Sequence, residues 1–219
     1  MGFEYLTNVP LEQARREYLE LLEHQGFEPQ TQVIPVYESC GRVTVEAVYA
    51  HICAPHYTAS AMDGVAVCAR DTFGATETTP VTLHPEQFTV LDTGDPVPEG
   101  RDAVIMVEDL VKNEDGSITI HAAAAPWQHI RQIGEDVCAG EMILPGHMTV
   151  TPAAIGAMIA GGVLELRVIR RPVVGIIPTG DEIIPPCTDP RPGDILEFNG
   201  SIFSAMVRQW GAEPVVYPI

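Results

Sequence analysis

The stretch Val173-Val174-Gly175-Ile176-Ile177 decides the fold. It is a continuous apolar run without polar alternation, the pattern of a strand covered on both faces. A loop containing Thr179-Gly180-Asp181-Glu182 follows it. Asn199 or Ser201 then offers a cap for a helix carrying Ile202, Phe203, Met206, Val207 and Trp210, with Gly211 as its stop. Pro214-Val215-Val216-Tyr217-Pro218-Ile219 opens a second strand. Strand, helix and strand in that order make a β-α-β unit. Two strands and one helix cannot cover both faces of a parallel sheet. Residues 173–219 are therefore expected to be the start of a truncated α/β domain, cut inside a longer protein.

Upstream, residues 126–172 have a different character. Glu141-Met142-Ile143-Leu144 precedes a Pro-Gly turn, and Thr151-Pro152 opens a short helix, Ala153 to Ala160, closed by Gly161-Gly162. Leu164, Leu166 and Val168 alternate with Glu165 and Arg167, which predicts a half-exposed strand. Residues 55–125 read as an all-β insert. Five short strands are expected at 65–67, 80–83, 88–91, 103–107 and 117–120, with Asn113-Glu114-Asp115-Gly116 as the hairpin turn between the last two. Residues 27–54 read as extended chain, with Val33, Ile34, Val36 and Tyr37 before a Cys-Gly turn and near alternation from Arg42 to Ala47.

The first element, in segment 1–26, is a helix. Leu11, Ala14, Tyr18, Leu21 and Leu22 recur at helical spacing, Pro10 takes a first helical position with Asn8 as its polar cap, and Gly26 ends the pattern. Its glutamates mark a solvated face, and its apolar face is expected to dock. The fold class is thus α+β and multi-domain: a β-rich insert (55–125) on an elongated linking domain (27–54 and 126–172), plus the truncated α/β start.

Charge excludes several functions. Of 219 residues, 12 are basic and 30 acidic, for a net −18, and Lys112 is the sole lysine. Such a chain repels nucleic acid and anionic membranes. An anionic ligand has to be held locally, by a metal ion, helix N-termini or a partner's cations. No segment reaches the ~20 apolar residues of a membrane helix, and Met1 to Leu11 shows no signal peptide. The five cysteines (40, 53, 68, 138 and 187) form no C-x-x-C pair and no disulfide framework, which points to a reducing cytoplasm. Trp127 and Trp210 read as packing residues.

Four acidic clusters carry candidate chemistry. Ser60-Ala61-Met62-Asp63-Gly64 reads either as a turn into a strand or as a site. The segment Asp92-Thr93-Gly94-Asp95, continuing to Gly100, leaves backbone N–H groups free for a phosphate-like oxygen, or is a plain Pro-rich loop. Arg131 can pair with Asp136 beside Gly134-Glu135. Thr179-Gly180-Asp181-Glu182 stands at the carboxyl end of the apolar strand, where open α/β sheets bind ligands. Its paired carboxylates suit Mg²⁺. His51, Cys53 and His56 place soft ligands near one another without completing a tetrahedral site. No Walker A, G-x-S-x-G or H-E-x-x-H pattern is present.

Taken in order, these segments resemble the MoeA family and the gephyrin E domain, the molybdopterin molybdenumtransferases of molybdenum cofactor synthesis. The carrying stretches are Ser60 to Val67, Thr93 to Gly100 with Asp102-Ala103-Val104, Arg131 with Gly134-Glu135-Asp136, Pro172 with Thr179 to Glu182, and Gly193-Asp194-Ile195 with Asn199. The resemblance implies an elongated cytoplasmic homodimer. In it the linking domain I forms the dimer, domain II is the β insert, and domain III is an α/β molybdopterin-binding domain on which the N-terminal helix packs. Its active site lies between domain III of one protomer and domain II of the other. It implies insertion of molybdate into adenylylated molybdopterin with release of AMP, and the molybdopterin adenylyltransferase as a further partner. Catalytic roles follow for Asp63, Thr93, Asp136 and Glu182, molybdopterin contacts for Ser60, Thr179 and Gly180, and Mg²⁺ at Asp181 and Glu182. A non-catalytic cofactor or molybdate sensor and an interaction scaffold are the alternatives. Val65 stands where the family usually has an aromatic, and the chain stops before the family's Gly-Gly-x-Ser segment and its cationic molybdate-binding residues. The piece alone is therefore expected to be inactive.

Overall fold

The computed structural model describes residues 8–26 and 28–219. The first seven residues, and with them most of the stretch read for a leader, lie outside the described residues, as does Phe27. The chain divides into two compact units, one of residues 34–166 and one of residues 1–33 with 167–219. It is a mixed, β-rich fold with few helices.

The first helix, α1 (Leu11–His24), begins one residue later than expected. Pro10 is its N-cap, and no side chain caps it. Gly26 follows at φ +64°, as a left-handed terminator should. None of the α1 side chains is buried, and Leu11, Tyr18 and Leu21 are more than half exposed. The apolar stripe predicted to dock is thus uncovered in this chain.

Strand β1 (Thr31–Pro35) is followed by a single 3₁₀ turn at Val36–Glu38, so Val36 and Tyr37 are not extended as the sequence suggested. The turn lets Val36 point inward, where it is 1% exposed. The alternating stretch 42–47 is not a regular strand either. Val43 makes an isolated bridge to Thr149, and the Thr44 hydroxyl donates to the Pro145 carbonyl at 2.9 Å. Regular pairing resumes at β2 (Val48–Tyr49) and continues with β3 (Ala59–Ser60).

The insert holds seven strands rather than five: β3 and the six that follow it. Those six are β4 (Gly64–Val67), β5 (Val81–Leu83), β6 (Phe88–Leu91), β7 (Ala103–Met106), β8 (Leu110–Lys112) and β9 (Ile118–Ile120). The Asn113–Gly116 turn joins β8 to β9, not β7 to β9. Asp115 fastens it by accepting from the amide and hydroxyl of Ser117 at 3.0 and 2.6 Å. Two antiparallel sheets result, in the orders β6-β4-β7 and β5-β9-β8.

Strand alternation explains why β4 is buried on both faces. Val65 and Val67 turn toward Leu83, Ile118 and Ile120 of the other sheet, while Ala66 turns toward Leu91, Val104 and Ile130. Burying a Leu or Ile side chain of this kind stabilises by roughly 1.5–3 kcal/mol. Gly64 opens β4 because a Cβ there would overlap the Ile105 carbonyl oxygen of neighbouring β7.

Beyond the insert come β10 (Ile130–Arg131) and β11 (Met142–Leu144), which pair antiparallel with β3 and β2. Helix α2 (Pro152–Ala160) starts at Pro152, with the Thr151 hydroxyl accepting from the Ala154 amide at 3.2 Å. Strand β12 (Glu165–Ile169) shows the predicted alternation, with Leu166 and Val168 buried between exposed Glu165 and Arg167.

The carboxyl-terminal stretch forms the expected β-α-β unit. Strand β13 (Val173–Ile176) pairs in parallel with the last strand, Glu213–Val216, through the helix Asn199–Gln209. Between them, Ile183–Ile184 and Ile195–Leu196 make a two-residue parallel pair that the sequence did not announce. In order, these are β14 (Ile183–Ile184), β15 (Ile195–Leu196), α3 (Asn199–Gln209) and β16 (Glu213–Val216).

Three expectations fail here. The β13 residues Val173, Val174 and Gly175 are exposed rather than covered on both faces. Neither Asn199 nor Ser201 caps α3; the Glu197 carboxylate accepts from the Gly200 amide at 2.6 Å instead. Trp127 and Trp210 are 55% and 70% exposed, so neither is a packing residue of this chain.

Candidate functional site

In the unit of residues 34–166, the sheet β6-β4-β7 carries Asp63 immediately before β4, and the Asp92–Asp95 turn immediately after β6. Because Gly64 pairs with Leu91, the two loops leave the sheet side by side. Asp63 Oδ1 accepts from the Thr93 amide at 2.6 Å and from the Thr93 hydroxyl at 2.7 Å. These two donors, the hydroxyl first, hold the Asp63 carboxyl below the ordinary carboxylate range. Asp63 and Thr93 are both exposed.

Ser60 is buried behind them. Its hydroxyl donates to the Met62 carbonyl at 2.6 Å, and its backbone exchanges with the facing turn, Ser60 amide to Asp95 carbonyl and Gly94 amide to Ser60 carbonyl, both at 2.9 Å. The Ser60 side chain therefore shapes the motif from within rather than presenting itself to a ligand.

Strand β10 runs beside β3, with Arg131 opposite Ala59 and Ile130 opposite Ser60. Arg131 donates to Asp136 Oδ2 at 2.7 Å and lies 3.5 Å from Glu135. The bond to Asp136 raises the affinity of Arg131 for its proton. Asp63, Thr93 and Ser60 thus belong to one rim built by β3, β4 and β6. Asp136 is engaged by Arg131 and lies beside Ala54, beyond the other end of β3.

Tyr57 and His129, which hold these turns, gave no signal in the sequence. The Tyr57 hydroxyl donates to the Gly94 carbonyl at 2.9 Å, and the Asp95 carboxylate accepts from the Asp92 amide at 3.0 Å. His129, at φ +54°, turns its carbonyl to the Ala61 amide at 2.9 Å. Trp127, at φ +67°, donates its amide to the Asp102 carbonyl at 2.6 Å. Such left-handed backbone costs a non-glycine residue about 1–2 kcal/mol, and no residue type at 127 or 129 advertises it.

In the other unit, Thr179, Gly180, Asp181 and Glu182 form an exposed loop between β13 and β14. Gly180 has φ +142°, and the Glu182 carboxylate folds over it, so that a Cβ would stand 2.9 Å from Glu182 Oε1. The Ile195 amide donates to the Glu182 carbonyl at 2.8 Å, which fixes the backbone while the carboxylate stays at the surface. Among the described residues, no three of His, Cys, Asp and Glu come together as a metal cage, His51, Cys53 and His56 included. No helix among them is long and apolar enough to cross a membrane.

A chain in which a β-rich insert and a β-α-β start carry these ordered acidic turns defines a class, and comparison with known proteins names it. Residues 9–162 match the MoeA N-terminal region (domain I and II), and the chain belongs to the MoeA family. It is 39% identical over 198 residues to molybdopterin molybdenumtransferase 2 of Mycobacterium tuberculosis, covering 83% of this chain and 49% of that protein. It is 34% identical over 207 residues to the molybdopterin molybdenumtransferase of Haemophilus influenzae, covering 87% of this chain and 49% of that one. A crystal structure of the molybdopterin biosynthesis MoeA protein of Pyrococcus horikoshii is similar with a TM-score of 0.78 and 31% identity, over 93% of this chain and 58% of that one. The chain spans about half the length of the curated relatives it matches.

Proposed function

We propose that the protein to which this chain belongs acts in molybdenum cofactor biosynthesis, inserting molybdate into adenylylated molybdopterin and releasing AMP. The observation that carries this reading is the family match across residues 9–162 together with relatives named molybdopterin molybdenumtransferase. Those names support a transferase over a sensor or an interaction scaffold.

On this reading the domains divide as the sequence suggested. Residues 27–54 and 126–172 form a linking, dimer-forming domain, 55–125 the β insert, and 173–219 the start of the molybdopterin-binding α/β domain, on which the N-terminal segment 1–26 docks once that domain is complete. The protein works in the cytoplasm as a homodimer, taking its substrate from the molybdopterin adenylyltransferase.

Asp63, fixed by two hydrogen bonds from Thr93, stays ionised and immobile at the rim. It serves to orient a donor, whether water or a substrate hydroxyl, rather than to carry a proton. Asp136 is paired with Arg131, which also lies 3.5 Å from Glu135 and so offsets part of the negative charge a phosphate would meet there. Ser60 sets the backbone of the motif, and Thr179 with Gly180 offers a loop open enough for molybdopterin to approach. Asp181 and Glu182 are exposed hard-oxygen donors, a set that fits Mg²⁺ with water and substrate phosphate completing its shell. Bound there, the ion would offset the negative charge of a phosphate-bearing substrate against a chain of net −18. Glu182, beside it, would position the attacking water.

The test is molybdate-dependent release of AMP from adenylylated molybdopterin by the whole protein. Release that needs molybdate and a divalent ion is the expected result. A whole protein that binds molybdopterin without turnover would favour a sensor.

A further inference from the structure

Cys53 and Cys138 are 85 positions apart in sequence, yet the strand register sets them face to face. Tyr49 pairs antiparallel with Met142, and Ala54 pairs antiparallel with Val137. Cys53 and Cys138 are the residues that flank the isolated Ala54–Val137 bridge on one side, and so face one another across it. Ala54 and Val137 exchange both backbone hydrogen bonds, at 2.8 and 3.2 Å. The neighbouring cysteine pair is therefore of the non-hydrogen-bonded kind, in which Cα atoms approach to about 4.5 Å and side chains stand closest. That separation falls within the range a disulfide spans, roughly 4.4–6.8 Å.

The sulfurs point to the same spot. A Cβ built on Gly134 would lie 2.9 Å from Cys138 Sγ and 3.6 Å from Cys53 Sγ. Gly134, at φ +76°, leaves that space open. Both thiols are free, Cys138 is exposed and Cys53 is partly so, and a reagent in solution can reach them.

We propose that Cys53 and Cys138 form an oxidisable pair, a modification site that closes to a cross-strand disulfide. With a low-molecular-weight disulfide as oxidant, the thiolate of one cysteine attacks a reagent sulfur and expels one reagent thiolate. The second cysteine thiolate then attacks the protein-bound sulfur of the mixed disulfide and expels the other. Two protein thiols are oxidised, the reagent disulfide is reduced to two thiols, and the two cysteine protons pass to the released thiolates.

The bond would tie down the segment that carries Asp136. The Asp136 and Val137 amides both donate to the Ala54 carbonyl, one residue from Cys53. Gly134 donates to the Pro55 carbonyl at 2.9 Å. The disulfide would pin the 131–138 loop to residues 53–55 and so fix the Arg131–Asp136 pair. This inference does not depend on the proposed reaction.

The test treats the 219-residue chain with oxidised glutathione, then alkylates free thiols and digests without reductant. The expected result is a monomer in which neither Cys53 nor Cys138 is alkylated, a Cys53–Cys138 cross-linked peptide lighter by two hydrogens, and slower amide exchange at Asp136 and Val137 than in the reduced chain. Cys53→Ser and Cys138→Ser should each abolish the cross-link, leaving the partner as a mixed disulfide. The proposal is overturned if both cysteines stay alkylatable, if each keeps glutathione without exchanging it, or if the only disulfides formed join separate chains.

Discussion

Asp63 Oδ1 receives two hydrogen bonds from a single residue, the amide and the hydroxyl of Thr93, at 2.6 and 2.7 Å. The pair joins the turn before β4 to the turn after β6, thirty residues apart in the chain. It locks a carboxylate in place at the surface, where a side chain that only balanced charge would gain little from being held.

Replacing Asp63 by Ala in the whole protein should lower turnover far more than stability. Both partners are exposed, and surface substitutions away from the core usually change stability little. Loss of a turn-fastening contact can add to that without approaching the cost of a core cavity. The check is the rate of molybdate-dependent AMP release beside the melting temperature. An unchanged rate with a lowered melting temperature would make Asp63 structural.

Thr93→Val removes the hydroxyl and keeps the amide, so it takes away the larger cause of the depressed Asp63 pKa. The Asp63 pKa should move up toward its ordinary value, read by a carboxyl-carbon NMR titration. The sign for stability follows. A carboxyl whose folded pKa is depressed contributes stability above its unfolded pKa and loses it as pH falls through the folded one. The wild-type contribution is thus complete above about pH 4 and fades below it. In Thr93→Val the difference in acid stability should shrink. Identical acid-unfolding curves for the two proteins would sink the assignment.

Gly64→Ala should be among the most damaging single methyl additions in the chain. The new Cβ would meet the backbone carbonyl of Ile105, in a strand held on both sides by β6 and β7. Overpacking costs about 1–3 kcal/mol where side chains give way, and here backbone must move, so at least about 3 kcal/mol is expected. Urea unfolding measures it. Gly74→Ala, with nothing within 4 Å of its Cβ but a φ of +91°, is the control for strain without overlap.

The chain of residues 1–219 assayed alone should release no AMP in response to molybdate. It spans 49% of each of two transferase relatives, so about half of what those proteins carry is not in it. Molybdate-dependent AMP release by the purified chain would overturn the expectation.

Amide exchange should be slowest in β4, β7 and β9 and fast in β13. The first three lie in the insert, with Ala66, Ala103, Val104 and Ile120 at 1% exposure or less, whereas Val173 is 55% exposed. Protection follows the burial of the hydrogen-bonded backbone. The measurement is repeated over a range of concentrations, because self-association could cover β13. Equal protection of 173–176 and the insert in a proven monomer would contradict it.

What the sequence by itself determined was local and periodic. The alternation at 165–168, the β-branched runs of the insert, the Thr151-Pro152 helix start and the Asn113–Gly116 turn each depend on neighbours a few residues away, and all are present as elements. The ordered motifs were legible for the same reason, since each is a short turn whose Gly, Asp and Thr residues serve local backbone geometry. Tertiary structure decided what those elements meet. Strand β8 was invisible because Leu110–Lys112 is too short to show a period, and pairing with β9 makes it a strand. Glu197 rather than Asn199 closes the start of α3 because cap choice follows where the chain enters the helix. Likewise, Asp63 finds Thr93 and Cys53 faces Cys138 only through strand register, which depends on the whole sheet and not on either segment.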